Sequence, residues 1–216
     1  MIRTDQEGWR YSRDIVIEET HRLIRAEAYQ QAESNLADAL KTCASRRFDM
    51  ILDNEFSISQ DQMIAWLDAE IRRHIDDGNC VAMQLELTRN LADDTDWICC
   101  SYGFTANAFP YADLTLEEFA SMEKNNRYWQ TEFDWLDNGD IELKGFETFV
   151  AARQDLQIKQ KDDGIACQIA ELILGVKYHR LIGEAATKTS QGSFWLIVQD
   201  HDSYYVPTVV RKTKSA

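Results

Sequence analysis

The spacing of apolar residues changes at Gly78, and that change sets the fold class. Before it, Met63, Ile64, Leu67, Ile71 and Ile75 recur at steps of three and four, as on one face of a helix. Ser59 with Gln62 supplies a capping box at its start, and Gly78 a stop. After it, Val81, Met83, Leu85 and Leu87 alternate strictly with Ala82, Gln84, Glu86 and Thr88, as a strand with one buried face demands. The spacing therefore predicts a helix over 60–77 followed at once by a strand over 81–87. A chain that carries both periods belongs to a mixed class.

The same reading extends to both sides. Tyr29, Ala32, Leu36, Ala39 and Cys43 keep helical spacing within a stretch, 12–44, that has neither Pro nor Gly, so it is one long helix or two with a break near Glu27. Residues 97–105 are aromatic and apolar on both faces and should pair with 81–87 as a hairpin across Asp93, Asp94 and Asp96. Thr115 with Glu118 caps a short helix through Phe119 and Met122 that fades near Asn125 and Asn126. Asn138-Gly139 suits a type I′ turn between Phe133/Trp135 and Ile141/Leu143, although a helix ending at Leu136 explains the same residues. Ile165, Ile169, Leu172, Ile173 and Val176 predict a helix that runs to about Leu181 and ends by Gly183. Residues 194–198 and 204–210 have hairpin spacing, and Pro207 confines the second to an edge or a bulge. The expected fold is α+β: an antiparallel sheet of two or three hairpins packed against several helices. It forms one domain over 1–216, helical through 78 and mixed over 79–216.

Several function classes lose ground on composition. The amino terminus is polar, and the longest apolar run, 169–176, is interrupted by Glu171 and Gly175, which argues against both a secretory signal and a membrane span and for the cytoplasm. Cys43, Cys80, Cys99, Cys100 and Cys167 are odd in number and lack metal-site spacing, so reduced thiols are expected. A net charge of -14 repels a phosphate backbone, which disfavours nucleic acid as a ligand. The glycine-rich phosphate loops, H-E-x-x-H and G-x-S-x-G do not occur, so no catalytic residue, cofactor or metal is assigned.

Four weaker signals can be weighed on chemistry. A calcium loop starting at Asp134 would put Leu136 third and Gly145 twelfth, where ligands are needed, so a solvated turn is the better reading. Asp93, Asp94 and Asp96 read as a hairpin connection. Cys99 and Cys100, on a strand, leave by opposite faces and read as core. His21 and His74, flanked by Arg22, Arg25, Arg72 and Arg73, read as solvated, His179 as a boundary residue, and His201 as an exposed hairpin tip favouring the imidazolium form.

Charge distribution is the most informative feature. The stretch 93–147 holds thirteen acidic and three basic residues, so it carries -10 of the total -14. Trp97, Tyr102, Phe104, Phe109, Tyr111, Tyr128, Trp129, Phe133 and Trp135 interleave with those acids. Acids beside aromatics can receive a basic protein, because long-range attraction speeds encounter while aromatic anchors hold the complex. The residues expected to contact a basic partner are Asp113, Trp129, Glu132, Asp134, Trp135, Asp137 and Asp140. The chain is thus expected to be a non-enzymatic acidic binding module, for instance a bacterial immunity protein or inhibitor. The alternatives are an enzyme or small-ligand protein with a Trp/Tyr-lined pocket and a carboxylate acid/base, and a homodimeric scaffold joined through its first helix.

Overall fold

The computed structural model describes residues 6–89, 97–115, 117–118, 139–154, 161–200 and 209–213. Its elements are α1 (Gln6–Arg25), α2 (Tyr29–Thr42), a short 3-10 helix (Asp49–Leu52), α3 (Gln60–Gly78), β1 (Cys80–Arg89), β2 (Trp97–Thr105), β3 (Asp140–Leu143), α4 (Glu147–Gln154), α5 (Lys161–Ala186), β4 (Trp195–Asp200) and β5 (Val209–Lys212). The class is α+β, with the helices concentrated towards the amino terminus. The break near Glu27 is real. Glu27 adopts φ 56°, its N–H donates to Ile24 O and the Ala28 N–H to Leu23 O, so α1 closes with a Schellman motif before α2 begins.

α3 follows its sequence signals closely. The Ser59 hydroxyl accepts from the Gln62 N–H while the Gln62 side chain accepts from the Ser59 N–H, and Asn79, at φ 50°, ends the helix. Ser59→Ala removes the acceptor for an orphan N–H and should lower stability by about 1 kcal/mol, read as a reduced urea midpoint at unchanged slope.

The strands form one five-stranded sheet in the order β3-β2-β1-β4-β5. Three neighbouring pairs are antiparallel, but β1 and β4 run parallel, so the sheet is mixed and not wholly antiparallel. Local hairpin signals do not reveal this, because β4 reaches β1 only after the chain has crossed through α4 and α5. The predicted 81–87/97–105 hairpin is present, and Ile141 and Leu143 lie opposite Cys99 and Trp97. The proposed turn partners Phe133 and Trp135, the helix beyond Glu118, the Asp93 to Asp96 turn and Pro207 lie outside the described residues. β5 is an edge strand, as expected.

Two further expectations, on α5 and β1, are corrected by the structure. α5 does not stop before Gly183 but continues to Ala186. It packs against α1, α2, α3 and β4, and burial on several sides outweighs the cost of about 1 kcal/mol that glycine imposes within a helix. β1 is buried on both faces over Ala82 to Leu87, not on one. Met83, Leu85 and Leu87 join the helix-side core with Leu67, Ile71 and Ile173, whereas Ala82, Phe104, Phe109, Trp195 and Ile197 form a second cluster on the opposite face. A bulge between Cys80 and Ala82 shifts the register, and Val81 packs against that second cluster instead of following Met83. Among the described residues, no helix is long and apolar enough to cross a membrane.

Candidate functional site

α3 meets the sheet through a polar seam. Glu70, Arg73 and His74 share one helix face by their spacing of three and four, and β2 sets Ser101 against them. Ser101 Oγ donates to Glu70 Oε2 at 2.6 Å and accepts from the Gly139 N–H at 3.2 Å. With its proton committed to Glu70, its second lone pair faces His74 Nε2 at 3.2 Å, so the imidazole is the Nε2–H donor. Arg73 Nη2 donates to the same Glu70 oxygen at 2.6 Å. Two glycines make room. A Cβ at Gly139 would lie 2.0 Å from Glu70 Oε2, and one at Gly103 would lie 2.5 Å from His74 Nδ1.

Serine, histidine and glutamate in contact invite comparison with a catalytic triad, and the geometry answers it. In a triad the histidine takes the serine proton and the carboxylate orients the histidine. Here the serine proton goes to the carboxylate, His74 Nε2 is 3.9 Å from Glu70 Oε2, and Ser101 and His74 are wholly buried. His74 Nδ1 has no hydrogen-bond partner. Burial, reinforced by Arg73, holds the His74 pKa below its usual value, with Glu70 and Asp77 opposing. The seam fastens α3 to β2 and to the start of β3.

The histidine expectations are therefore revised. His74, read as solvated, is fully buried. His21 is 7% exposed, with its pKa lowered to about 3 by burial and then by Arg25. His179 is interior rather than at a boundary, and His201 lies outside the described residues. The cysteines keep their expected role, for all five are buried and free. Cys99 faces the helices, with Sγ 3.2 Å from Tyr178 Oη, and burial raises its pKa. Cys100 emerges on the other face, where burial and then Asp140 push its thiol up to about 12. On that face Gln84 Nε2 donates to Glu86 Oε2 at 2.9 Å, and burial raises the Tyr102 pKa. Glu86 did not stand out in the sequence, because β1 reads there as a plain alternation.

A second ionic group ties α5 to the loop after the 3-10 helix. Lys177, 2% exposed, donates to Leu52 O, Asn54 O and Glu55 Oε1, while Arg180 bridges Glu33 (2.8 Å) and Glu55 (2.6 Å). Opposite charges are matched within it. Among the described residues, no group of three or more His, Cys, Asp or Glu side chains converges as a metal site would require.

Of the residues expected to contact a partner, Asp113 is exposed in the turn after β2, and Asp140 is exposed at the start of β3, opposite Cys100. The structure does not bring these two onto one element. Trp129, Glu132, Asp134, Trp135 and Asp137 lie outside the described residues. Six acidic side chains of the stretch are described: Asp113, Glu117, Glu118, Asp140, Glu142 and Glu147, all of them exposed. The aromatics behave differently. Trp97 belongs to the helix-side core, and Phe104 and Phe109 to the second cluster, where Trp195 Nε1 also donates to Ala112 O. These described rings are thus divided between two core layers. None of the family models, curated proteins or solved structures compared with the chain matches it.

Proposed function

We propose that this protein is a non-enzymatic binding module that captures a basic protein partner through its acidic stretch 93–147, in the manner of an inhibitor or immunity protein. The observation that carries this reading is that every described carboxylate of the stretch projects to solvent, with no pair converging in a cleft where acid–base chemistry would be tuned. The Ser101 centre is sealed and its proton is directed away from histidine, so it supplies no activated nucleophile. Five buried free thiols suit a reducing compartment, and the reading places the protein in the cytoplasm.

Charge reversal tests the reading. Once the basic partner is isolated, the triple variant Asp113→Lys, Asp134→Lys, Asp137→Lys should associate at least about tenfold more slowly at low salt, with little change in dissociation. Raising ionic strength from about 0.01 M to about 0.15 M shortens the Debye length from roughly 30 Å to roughly 8 Å, so wild-type association should fall steeply while the variant barely responds. Trp129→Ala or Trp135→Ala should instead speed dissociation, at a cost of about 2 kcal/mol for an anchor. Association insensitive to both salt and the reversals refutes the proposal.

A further inference from the structure

β3 forms one edge of the sheet, and its pairing with β2 fixes which backbone groups face outward. The register sets Asp140 opposite Cys100, Ile141 opposite Cys99, Glu142 opposite Ile98 and Leu143 opposite Trp97. Just beyond it, the Ser101 N–H donates to Gly139 O at 3.0 Å, which makes that pair a hydrogen-bonded one. Antiparallel ladders alternate, so Ile141 and Leu143 turn their N–H and C=O towards β2, while Asp140 and Glu142 turn theirs away. Among the described residues, no strand pairs with that outer edge, although just past it Lys144 O accepts from the Ser57 N–H at 2.9 Å, so the open stretch ends at Leu143. The side chains alternate in step. Ile141 and Leu143 face the helices, where Leu143 is fully buried and Ile141 half-buried, and Asp140 and Glu142 stand exposed on the opposite face.

We infer that the outer edge of β3 is where an extended segment of the basic partner docks, adding a sixth strand with a basic, apolar, basic alternation. This rests on the proposed capture of a basic protein and names the element that performs it. The outward N–H and C=O groups of Asp140 and Glu142 supply main-chain pairing, and their carboxylates lie directly opposite the incoming residues, where lysine or arginine is favoured and an acid repelled, the exposed Lys144 that pairs with Glu142 at 3.0 Å giving way to the incoming cation. An apolar residue between the two basic ones falls on the face of Ile141. The same acids disfavour a second copy as the occupant, because two β3 strands side by side would set carboxylate against carboxylate.

The test uses a synthetic octapeptide of alternating lysine and valine, with its glutamate and valine counterpart as control, followed by backbone amide NMR of the full chain. The lysine peptide should shift the Asp140 and Glu142 amides, and the glutamate peptide should not. Glu142→Pro removes an outward N–H and leaves the ladder to β2 intact, since that N–H does not point to β2. It should weaken binding at least tenfold, and Glu142→Gln, which removes only charge, about threefold. If the proline variant fails to fold, the lysine peptide N-methylated at alternate residues serves with wild-type protein and should bind at least tenfold more weakly. Equal losses for Glu142→Pro and Glu142→Gln, shifts confined to another surface, or a concentration-dependent dimer abolished by Glu142→Pro each overturn the inference. The capture reading stands or falls separately, on the Asp113, Asp134 and Asp137 reversals, none of which is a residue of β3.

Discussion

Ser101→Ala is expected to destabilise the protein by about 4 kcal/mol, far more than the loss of one hydroxyl from a surface strand. The hydroxyl is the common partner of Glu70, His74 and Gly139, with Arg73 Nη2 at a longer 3.5 Å. Without it the buried Glu70 carboxylate loses a donor at 2.6 Å, and the His74 Nε2–H and the Gly139 N–H lose their acceptor together. Each buried group left unpaired costs about 1–3 kcal/mol, and alanine leaves no space for water to take the hydroxyl's place. Urea unfolding of the purified variant reads the effect. A loss under about 1 kcal/mol would show that α3 is held by its apolar face alone. Glu70→Gln should cost less, because the amide oxygen still accepts from Ser101, although the Arg73 guanidinium then loses its charged partner.

Stability should also fall on mild acidification, before most carboxylates begin to titrate. His21 and His74 are buried and both have depressed pKa values, His21 to about 3. Above about pH 6.5 neither the folded nor the unfolded chain protonates them, and the stability they permit is fully present. Below that value the unfolded chain gains protons that the folded chain refuses, so stability declines as pH falls towards the folded values. For His21 the slope is about 1 kcal/mol per pH unit, or about 2 kcal/mol between pH 6.5 and pH 5. Denaturant midpoints for wild type and His21→Gln across that range isolate the contribution. Parallel pH profiles for the two proteins would mean that His21 is protonated in the native state.

What could be read from the chain alone was whatever is decided within a few residues. The Ser59/Gln62 box, the α3 stripe and the β1 strand depend on neighbours in sequence, and each appears in the structure where the spacing put it, while the second buried face of β1 comes from elements far off in the chain. His21 was misread for want of attention to the same period. Arg22 is next to it in sequence but on the exposed side of α1, whereas Ile17 and Ile24, four residues before and three after, are buried with it. The polar seam was hidden for a deeper reason. Glu70, Arg73 and His74 would show the same spacing on a solvated helix; what makes them interior is Ser101, Gly103 and Gly139, supplied by other strands. The acidic stretch was legible as charge, while the role of β3 within it depends on a register that charge does not encode.

The parallel contact between β1 and β4 bears on the order of assembly. β1 sits at the centre of the sheet, yet one of its two neighbours arrives only after α5 has been made. During synthesis, the β1/β2 hairpin and α3 can form early from local contacts, but β1 keeps an unpaired flank until β4 emerges and closes the longest loop in the sheet. That flank includes Met83, Leu85 and Leu87, whose side chains are fully buried at the end. A chain halted before β4 would therefore expose the apolar middle of its sheet as a sticky edge, and nascent fragments of that length are the ones that should depend on chaperones and aggregate without them.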